Sequence, residues 1–452
     1  MTSPFARPRR EDLRAMLRLA LPVVISQLGM MLMGVVDTVM MGHYSASGLA
    51  AVALGNLFFV SVYAFGLGVL MSLDPLVSQA VGSGDRTAVV RAVQRGLLIA
   101  LGLSVPLSAV LWPGELVFGL LGQPVEITPT AASYARICIP GLLPFLAFIV
   151  LKQTLQAMQN VRPVVMVIFA ANVLNILLNW WLIFGGAGLG PLGAIGSAWA
   201  STASRWFLAV ALFLLARDQL GPLLRRFDPV ALRTRPLWRM FVLGVPIGVQ
   251  QSIEFGAFAA IALFMGMMGA VPLAAHQVAL YLAALSFMVP LGVSAAAAVH
   301  VGNAIGAGDR SGARRAASAA LVCGGCFMCC TAVIFLTLPG PLASLFTNSE
   351  EVTAVALVLI PIAGFFQVFD GLQVVAGGIL RGMGDTRAPM LLNVLGFWLA
   401  GVPVSLWLGF RLEMGPPGLW WGFVAGLGAV AVLLLVRVSS KLRHPQERVF
   451  ID

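Results

Sequence analysis

Twelve stretches of this chain are apolar for about twenty residues each, the length a helix needs to cross a hydrocarbon layer. That repetition constrains the fold more than any other feature. The runs fall at roughly 15–41, 49–73, 92–113, 131–151, 164–184, 192–216, 240–265, 273–300, 316–338, 352–378, 389–410 and 415–437. Soluble domains carry about 25% charged residues, whereas only 10% of these 452 residues are charged and 59% are hydrophobic. Lipid offers no partner for a backbone amide, so spanning segments must be helices or a closed barrel. Runs of this length without period-two alternation exclude the barrel. The expected fold is an all-α integral membrane bundle of twelve transmembrane helices.

The net charge of +10 is distributed by loop. Arg7, Arg9, Arg10 and Arg14 precede helix one; Arg86, Arg91 and Arg95 follow helix two; Lys152 and Arg162 lie between helices four and five. The central segment holds Arg217, Arg225, Arg226, Arg233, Arg235 and Arg239, and the last helix is followed by Lys441, Arg443 and Arg448. The alternate loops carry Glu115, Glu126, Glu350, Glu351 and Glu413, with Arg136 and Arg411 as exceptions. The positive-inside rule then places both termini and the central loop in the cytoplasm. The basic balance reflects topology and contact with anionic lipid rather than nucleic-acid binding. Arginines, an apolar run and Ser45-Ala46-Ser47 imitate a signal peptide. The run is about 25 residues, too long for one, and helix one is expected to be retained.

The two halves repeat at a constant offset of 224 residues: Pro22 with Pro246, Gln27 with Gln251, Gly42 with Gly266, and Leu67-Gly68-Val69 with Leu291-Gly292-Val293. GSGDR at 82–86 matches GAGDR at 306–310, and at an offset of 225 Arg162 matches Arg387. Six helices return a chain to its starting side, so the halves are parallel repeats about an axis along the membrane normal. The expected organisation is a cytoplasmic segment 1–14, an N-lobe 15–216, a cytoplasmic linker 217–239, a C-lobe 240–437 and a cytoplasmic tail 438–452. Two such lobes would enclose a cleft able to open to either side. Pro22 and Pro246 are expected in the first turns of helices one and seven.

Asp37, Glu254 and Asp370 are acids inside apolar spans. A carboxylate at bilayer depth costs at least about 2.5 kcal/mol, which makes each a candidate functional group. Helix five carries Asn172, Asn175 and Asn179, the last two a turn apart on one face. Asp37 with their amides reads as an oxygen site for a small cation or a hydrogen-bonded cradle for a carboxyl that carries a proton; interhelical polar glue is the alternative. Glu254 follows Gln251 by one turn, and Asp370 is flanked by Gln367 and Gln373. Two inward acids of one lobe repel unless one is protonated or a cation bridges them, which makes Glu254 and Asp370 a candidate H⁺ or Na⁺ site. Gln251, His276, Gln277, Phe366 and Gln367 are candidates for lining a substrate cavity.

Other motifs read as structural. The GxGDR loops sit among basic residues and suit tight turns with charge pairs, although GxGD strings also occur in intramembrane aspartyl proteases. Cys323, Cys326, Cys329 and Cys330 fall in helix nine; Cys323, Cys326 and Cys330 share a helix face with apolar neighbours and read as packing residues, and with Cys138 they imply no disulfide framework. His43, His276, His300 and His444 form no metal or triad pattern; His276-Gln277 reads as a packed, hydrogen-bonded pair. The two lysines, Lys152 and Lys441, lie in no nucleotide-binding loop. No cofactor is implied, and an ion gradient is the expected energy source.

VDTVMMG around Asp37, LAAVALGN (49–56), NVLNILLNW (172–180), AAHQVA (274–279), the paired GxGDR loops and LRGMGDTRAP (380–389) together make the chain resemble multidrug and toxic compound extrusion (MATE) transporters of the NorM type. The resemblance spans nearly the whole chain. It implies a twelve-helix, two-lobed antiporter that expels cationic amphipathic compounds in exchange for Na⁺ or H⁺; a monomer in a bacterial inner membrane is the expected form. It further implies an N-lobe site at Asp37, Asn175 and Asn179 and a C-lobe site at Glu254 and Asp370. Some relatives have a tyrosine where this chain has Phe366, which removes one oxygen from a Na⁺ site there. The alternatives are a major-facilitator drug/H⁺ antiporter, a lipid-linked sugar flippase, and an aspartyl protease acting through Asp85 and Asp309.

Overall fold

The computed structural model describes residues 5–186, 188 and 190–450; the ends of the expected N-terminal segment (1–4) and tail (451–452) lie outside the described residues. Its described residues form twelve helical spans long and apolar enough to cross a membrane. These are α1 (Arg10–Tyr44), α2 (Ala46–Gly82), α3 (Arg86–Leu111), α4 (Thr128–Ala157), α5 (Arg162–Phe184), α6 (Ala194–Leu215), α7 (Thr234–Met267), α8 (Ala270–Gly306), α9 (Arg310–Thr337), α10 (Glu350–Gly382), α11 (Arg387–Arg411) and α12 (Gly415–Arg443).

The helices run past the apolar stretches, because a helix continues into the interface while its polar residues stay wet. Pro22 and Pro246 therefore lie inside α1 and α7, not in their first turns. Lys152 is also not in a loop: it is buried in α4, where its Nζ donates to Gln27 Oε1 at 2.9 Å. α2 breaks after Leu70. Pro75 has no amide hydrogen to donate to the Met71 carbonyl, and Asp74 N takes that oxygen instead at 3.1 Å. α11 widens into π-turns over Val394–Gly401 and Trp407–Arg411.

The chain folds as two compact units. The Asp37 unit comprises Ile25–Val77 and Asp85–Gly248; of the described residues the Asp370 unit comprises 5–24, Ser78–Gly84 and Val249–Phe450. α1 and α7 each change unit two residues after their proline, so Pro22 and Pro246 keep their sequence equivalence in the fold. The small residues at the repeat positions serve helix contacts. In the Asp37 unit a Cβ on Gly68 would sit 2.5 Å from Gly248 Cα, and in the Asp370 unit one on Gly292 would meet the Val24 side chain. Close backbone approach of this kind increases the van der Waals packing that, with interhelical hydrogen bonds, holds helices together in lipid.

The GxGDR loops are tight turns with caps. Gly84 and Gly308 take positive φ of 71° and 73°, which glycine adopts without strain. Asp85 Oδ1 accepts from Ala88 N at 3.0 Å and Asp309 Oδ1 from Gly312 N at 2.8 Å, so each caps the helix that follows. The Gly312 amide and Ser311 hydroxyl hold the Asp309 carboxyl below its ordinary range.

Residues 217–239 are ordered against α3. The Gln94 amide donates to the Leu223 and Arg226 carbonyls at 3.0 and 2.9 Å, and Arg91 Nε meets Asp228 Oδ2 at 2.7 Å. The Arg91 hydrogen bond, with the Val230 amide, holds the Asp228 carboxyl below its ordinary range. A depressed folded-state pKa contributes stability above the ordinary carboxylate range and loses it as pH falls through the lowered value. Limited proteolysis of this segment should therefore accelerate severalfold on acidification through that range. Asp228→Asn should show the faster rate already at neutral pH; unchanged cleavage in the variant would contradict the clasp.

Candidate functional site

Each unit buries one carboxylate centre built from separate helices. In the Asp37 unit, α1, α5 and α6 converge. Asn175 and Asn179 share one face, as their one-turn spacing predicts, and the structure turns that face toward Asp37 of α1. Asp37 Oδ1 accepts from Asn175 Nδ2 at 3.2 Å and from Asn179 Nδ2 at 2.6 Å. Its Oδ2 accepts from Ser201 Oγ on α6 at 2.6 Å. Asp37 is 7% exposed and both asparagines are fully buried. The amides present NH₂ groups, so the arrangement is a donor cradle for an ionised carboxylate and not a cage of amide carbonyls. The Asn175 and Asn179 Oδ1 atoms have no hydrogen-bond partner. Asn172 serves the scaffold, donating to the Gly29 carbonyl of α1 at 2.9 Å.

In the Asp370 unit, the acids of α7 and α10 meet on one amide. Gln373 Nε2 donates to Glu254 Oε1 at 3.2 Å and to Asp370 Oδ1 at 3.4 Å, and Gln373 Oε1 has no partner. Asp370 is 4% exposed, whereas Glu254 is half-buried. The two carboxylates and the free amide oxygen make a compact oxygen set into which a proton or a small cation fits chemically. Phe366 adds no oxygen: it is buried against Trp420, Phe258 and Phe423, with ring centroids 5.5, 5.9 and 5.6 Å away.

The other cavity candidates are dispersed. Gln367 Oε1 accepts from Ser286 Oγ at 2.8 Å and Thr331 Oγ1 at 3.0 Å, which ties α10 to α8 and α9. His276 is buried edge-on to Trp420, centroids 5.6 Å apart, and neither ring nitrogen has a hydrogen-bond partner, so it is packed but not the hydrogen-bonded pair expected. Gln251 and Gln277 are half-buried. Cys326, Cys329 and Cys330 lie exposed on α9 and do not pack in the core.

Two residues of the Asp37 centre escaped the sequence reading: Ser201 and, one turn on, Arg205. The signal for Arg205 was present, since an arginine in the middle of an apolar span is as conspicuous as an acid. Its Cζ lies 4.0 Å over the Phe59 ring.

The sequence matches the MatE family model twice, over residues 22–181 and 246–407, in register with the internal repeat. It is 36% identical over 440 residues to a probable multidrug resistance protein NorM of Mesorhizobium japonicum, covering 95% of this chain and 94% of that protein. It is 33% identical over 447 residues to the multidrug resistance protein MdtK of Pectobacterium atrosepticum, covering 97% of each. The fold is similar to that of a eukaryotic MATE transporter, with a TM-score of 0.85 at 24% identity over 96% of this chain and 98% of the other. It is also similar to that of an outward-facing multidrug resistance MATE family transporter, with a TM-score of 0.84 at 20% identity over 96% of each chain.

Proposed function

We propose that this chain, which belongs to the MatE family, is an antiporter that exports cationic amphipathic compounds in exchange for H⁺ or Na⁺ by alternating access. It is a multi-pass membrane protein and a transporter rather than an enzyme. Asp85 and Asp309, the pair a protease would need, are helix caps.

The observation that carries the reading is that each unit holds a buried carboxylate centre bonded to neutral donors. A buried acid whose partners are neutral can take up a cation without first breaking an ion pair. At Asp37, uptake calls for the Asn175 and Asn179 amides to rotate, exchanging NH₂ for the carbonyl oxygens that now have no partner. At Glu254 and Asp370, one proton or one Na⁺ removes the repulsion between the acids, and the Gln373 carbonyl is at hand as a further ligand. Loading either centre with a cation weakens its hold on a cationic substrate. Antiport requires that the two ligands favour opposite states or exclude each other, and shared carboxylates meet that requirement. The arginines of the termini and the central segment support a cytoplasmic location for both, and the bacterial relatives support an inner membrane.

The test is efflux of a fluorescent cationic dye from proteoliposomes, driven by a pH gradient or a Na⁺ gradient imposed separately. One gradient should drive efflux in the wild type, and Asp370→Asn, which can neither take up the proton nor pair with Na⁺, should reduce it at least to about a tenth, the equivalent of about 1.4 kcal/mol. No efflux under either gradient would overturn the cationic-substrate reading and favour the flippase alternative.

A further inference from the structure

The Asp37 unit contains a second membrane-depth charge that the antiport scheme above does not use. Arg205 lies near the middle of α6 (Ala194–Leu215), one turn after the Ser201 that hydrogen-bonds Asp37. Ser201 and Arg205 therefore share a helix face. The guanidinium stacks 4.0 Å over Phe59 of α2, and Nη1 is buried without a hydrogen-bond partner. Space for the stem is made by Gly141 of α4, where a Cβ would come 3.1 Å from Arg205 Cδ. An arginine that only filled space would be expected to snorkel to an interface or to spend its donors on carbonyls; this one keeps a donor free beside the carboxylate centre.

A census of neighbouring charge isolates the pair. Around the guanidinium, α2 supplies Tyr63, α4 supplies Tyr134 and Cys138, and α1 supplies Asp37 within electrostatic range. From α5 come only the neutral Asn175 and Asn179 that bond Asp37. Among the other charged residues of these spans, Lys152 of α4 and Asp74 of α2 act on each other, Lys152 is bonded to Gln27, and Arg136 of α4 is paired with Glu115 at 3.2 Å. Asp37 and Arg205 thus set the charge of this interior between them. Together they sum to zero while Asp37 is ionised.

We propose that Arg205 is a fixed charge that decides how tightly the Asp37 unit holds a cationic substrate, so that loading Asp37 with the coupling cation takes the interior from neutral to net positive. This rests on the antiport reading given above and adds to it the residue that makes the loaded state repulsive. Without Arg205 the same loading takes the interior only from net negative to neutral. A cation then binds more tightly in both states and is expelled from neither. With Arg205 present, the step that loads the coupling ion is also the step that ejects the substrate. A neutral substrate feels none of this, which makes Arg205 a determinant of substrate charge.

The test compares binding of tetraphenylphosphonium, a permanent monocation, with that of triphenylphosphine oxide, a neutral compound of related shape, to purified full-length protein by calorimetry. Arg205→Gln and Arg205→Met, the latter keeping an apolar stem beside Gly141 and Phe59, should each tighten tetraphenylphosphonium binding on the order of tenfold, as expected for removing one like charge at short range in a partly buried site. Binding of the neutral compound should stay at the wild-type value, and gradient-driven efflux of the cation should slow as release becomes limiting. Arg205→Lys, which keeps a cation but loses the stacking plane on Phe59, should bind tetraphenylphosphonium more weakly than either neutral variant. Two neutral variants guard against one failing to fold, and each is checked by thermal unfolding. Unchanged cation binding in the neutral variants, or equal tightening of both probes, would overturn the role of Arg205 while leaving the antiport reading intact. A wild type that binds no cation would overturn both.

Discussion

Replacing Asp37 with alanine should cost both stability and transport, whereas replacing it with asparagine should cost transport alone. Three donors now end on this carboxylate, the Asn175 and Asn179 amides and the Ser201 hydroxyl. Alanine leaves the Asn175 amide and the Ser201 hydroxyl buried without this acceptor, while Asn179 Nδ2 keeps only its bond to the Asn175 carbonyl at 3.0 Å; a stranded donor costs about 1–3 kcal/mol. Removing a charge from bilayer depth gives part of this back. We expect a net loss of roughly 2–4 kcal/mol, visible as a lowered melting temperature and a poorer yield of monodisperse protein. Asparagine keeps the shape and one acceptor oxygen, and its own NH₂ can turn to Ser201 Oγ, so the loss should stay within about 1 kcal/mol. It has no site for a proton, however, and no charge for Na⁺. Dye efflux from proteoliposomes should then fall to background under either gradient. Wild-type efflux by Asp37→Asn would remove Asp37 from the coupling scheme and leave it as polar glue between α1, α5 and α6.

The second large effect is expected where the repeat brings backbones together. Gly68 and Gly292 are equivalent by the 224-residue offset, yet their valine variants should differ. A Cβ on Gly68 would sit 2.5 Å from Gly248 Cα, 2.7 Å from Gly248 N and 2.9 Å from the Ile247 carbonyl carbon. These are backbone atoms of α7, so α2 and α7 must part. Overpacking of this kind costs about 1–3 kcal/mol in soluble cores, occasionally more, and a whole helix pair is moved here, so Gly68→Val should lose about 3 kcal/mol or fail to fold. On Gly292 the closest obstacle is the Val24 side chain, with backbone no nearer than 3.0 Å at Val24 N. A rotated methyl and a small shift accommodate it, at about 1 kcal/mol. Thermal unfolding of the two variants side by side decides the matter; equal losses would mean that the two contacts are not stiff in the way described.

The span count, the duplication and the shared face of Asn175 and Asn179 could be read from the chain because each has a one-dimensional signature. A hydrophobic run of fixed length, a constant offset and a pair of asparagines one turn apart survive without any knowledge of neighbours. Lys152 and Arg205 show where that reading fails. A hydropathy run averages over about twenty residues, so one basic residue near an end is assigned to a loop, as Lys152 was, and one near the middle, like Arg205, stands out only when the span is read residue by residue. Helical spacing places Ser201 and Arg205 on a common face of α6, but it does not say that this face meets Asp37. Likewise the flanking glutamines of Asp370 were visible in sequence, while the fact that Gln373 rather than Gln367 bridges to Glu254 depended on the rotation of α10 against α7.

The sequence by itself therefore determined that this protein is a twelve-span helical bundle made of two repeats, with acids at bilayer depth in α1, α7 and α10. Those properties follow from transfer free energies and periodicity, which act residue by residue along the chain. The tertiary structure decided which groups complete each acid. It turned the asparagine amides toward Asp37 as donors, added Ser201, stacked Arg205 on Phe59, and passed α1 and α7 between units just beyond Pro22 and Pro246. In lipid the hydrophobic effect no longer selects partners among helices. Side-chain fit and hydrogen-bond geometry between helices far apart in sequence make that selection, and neither is expressed in any single span.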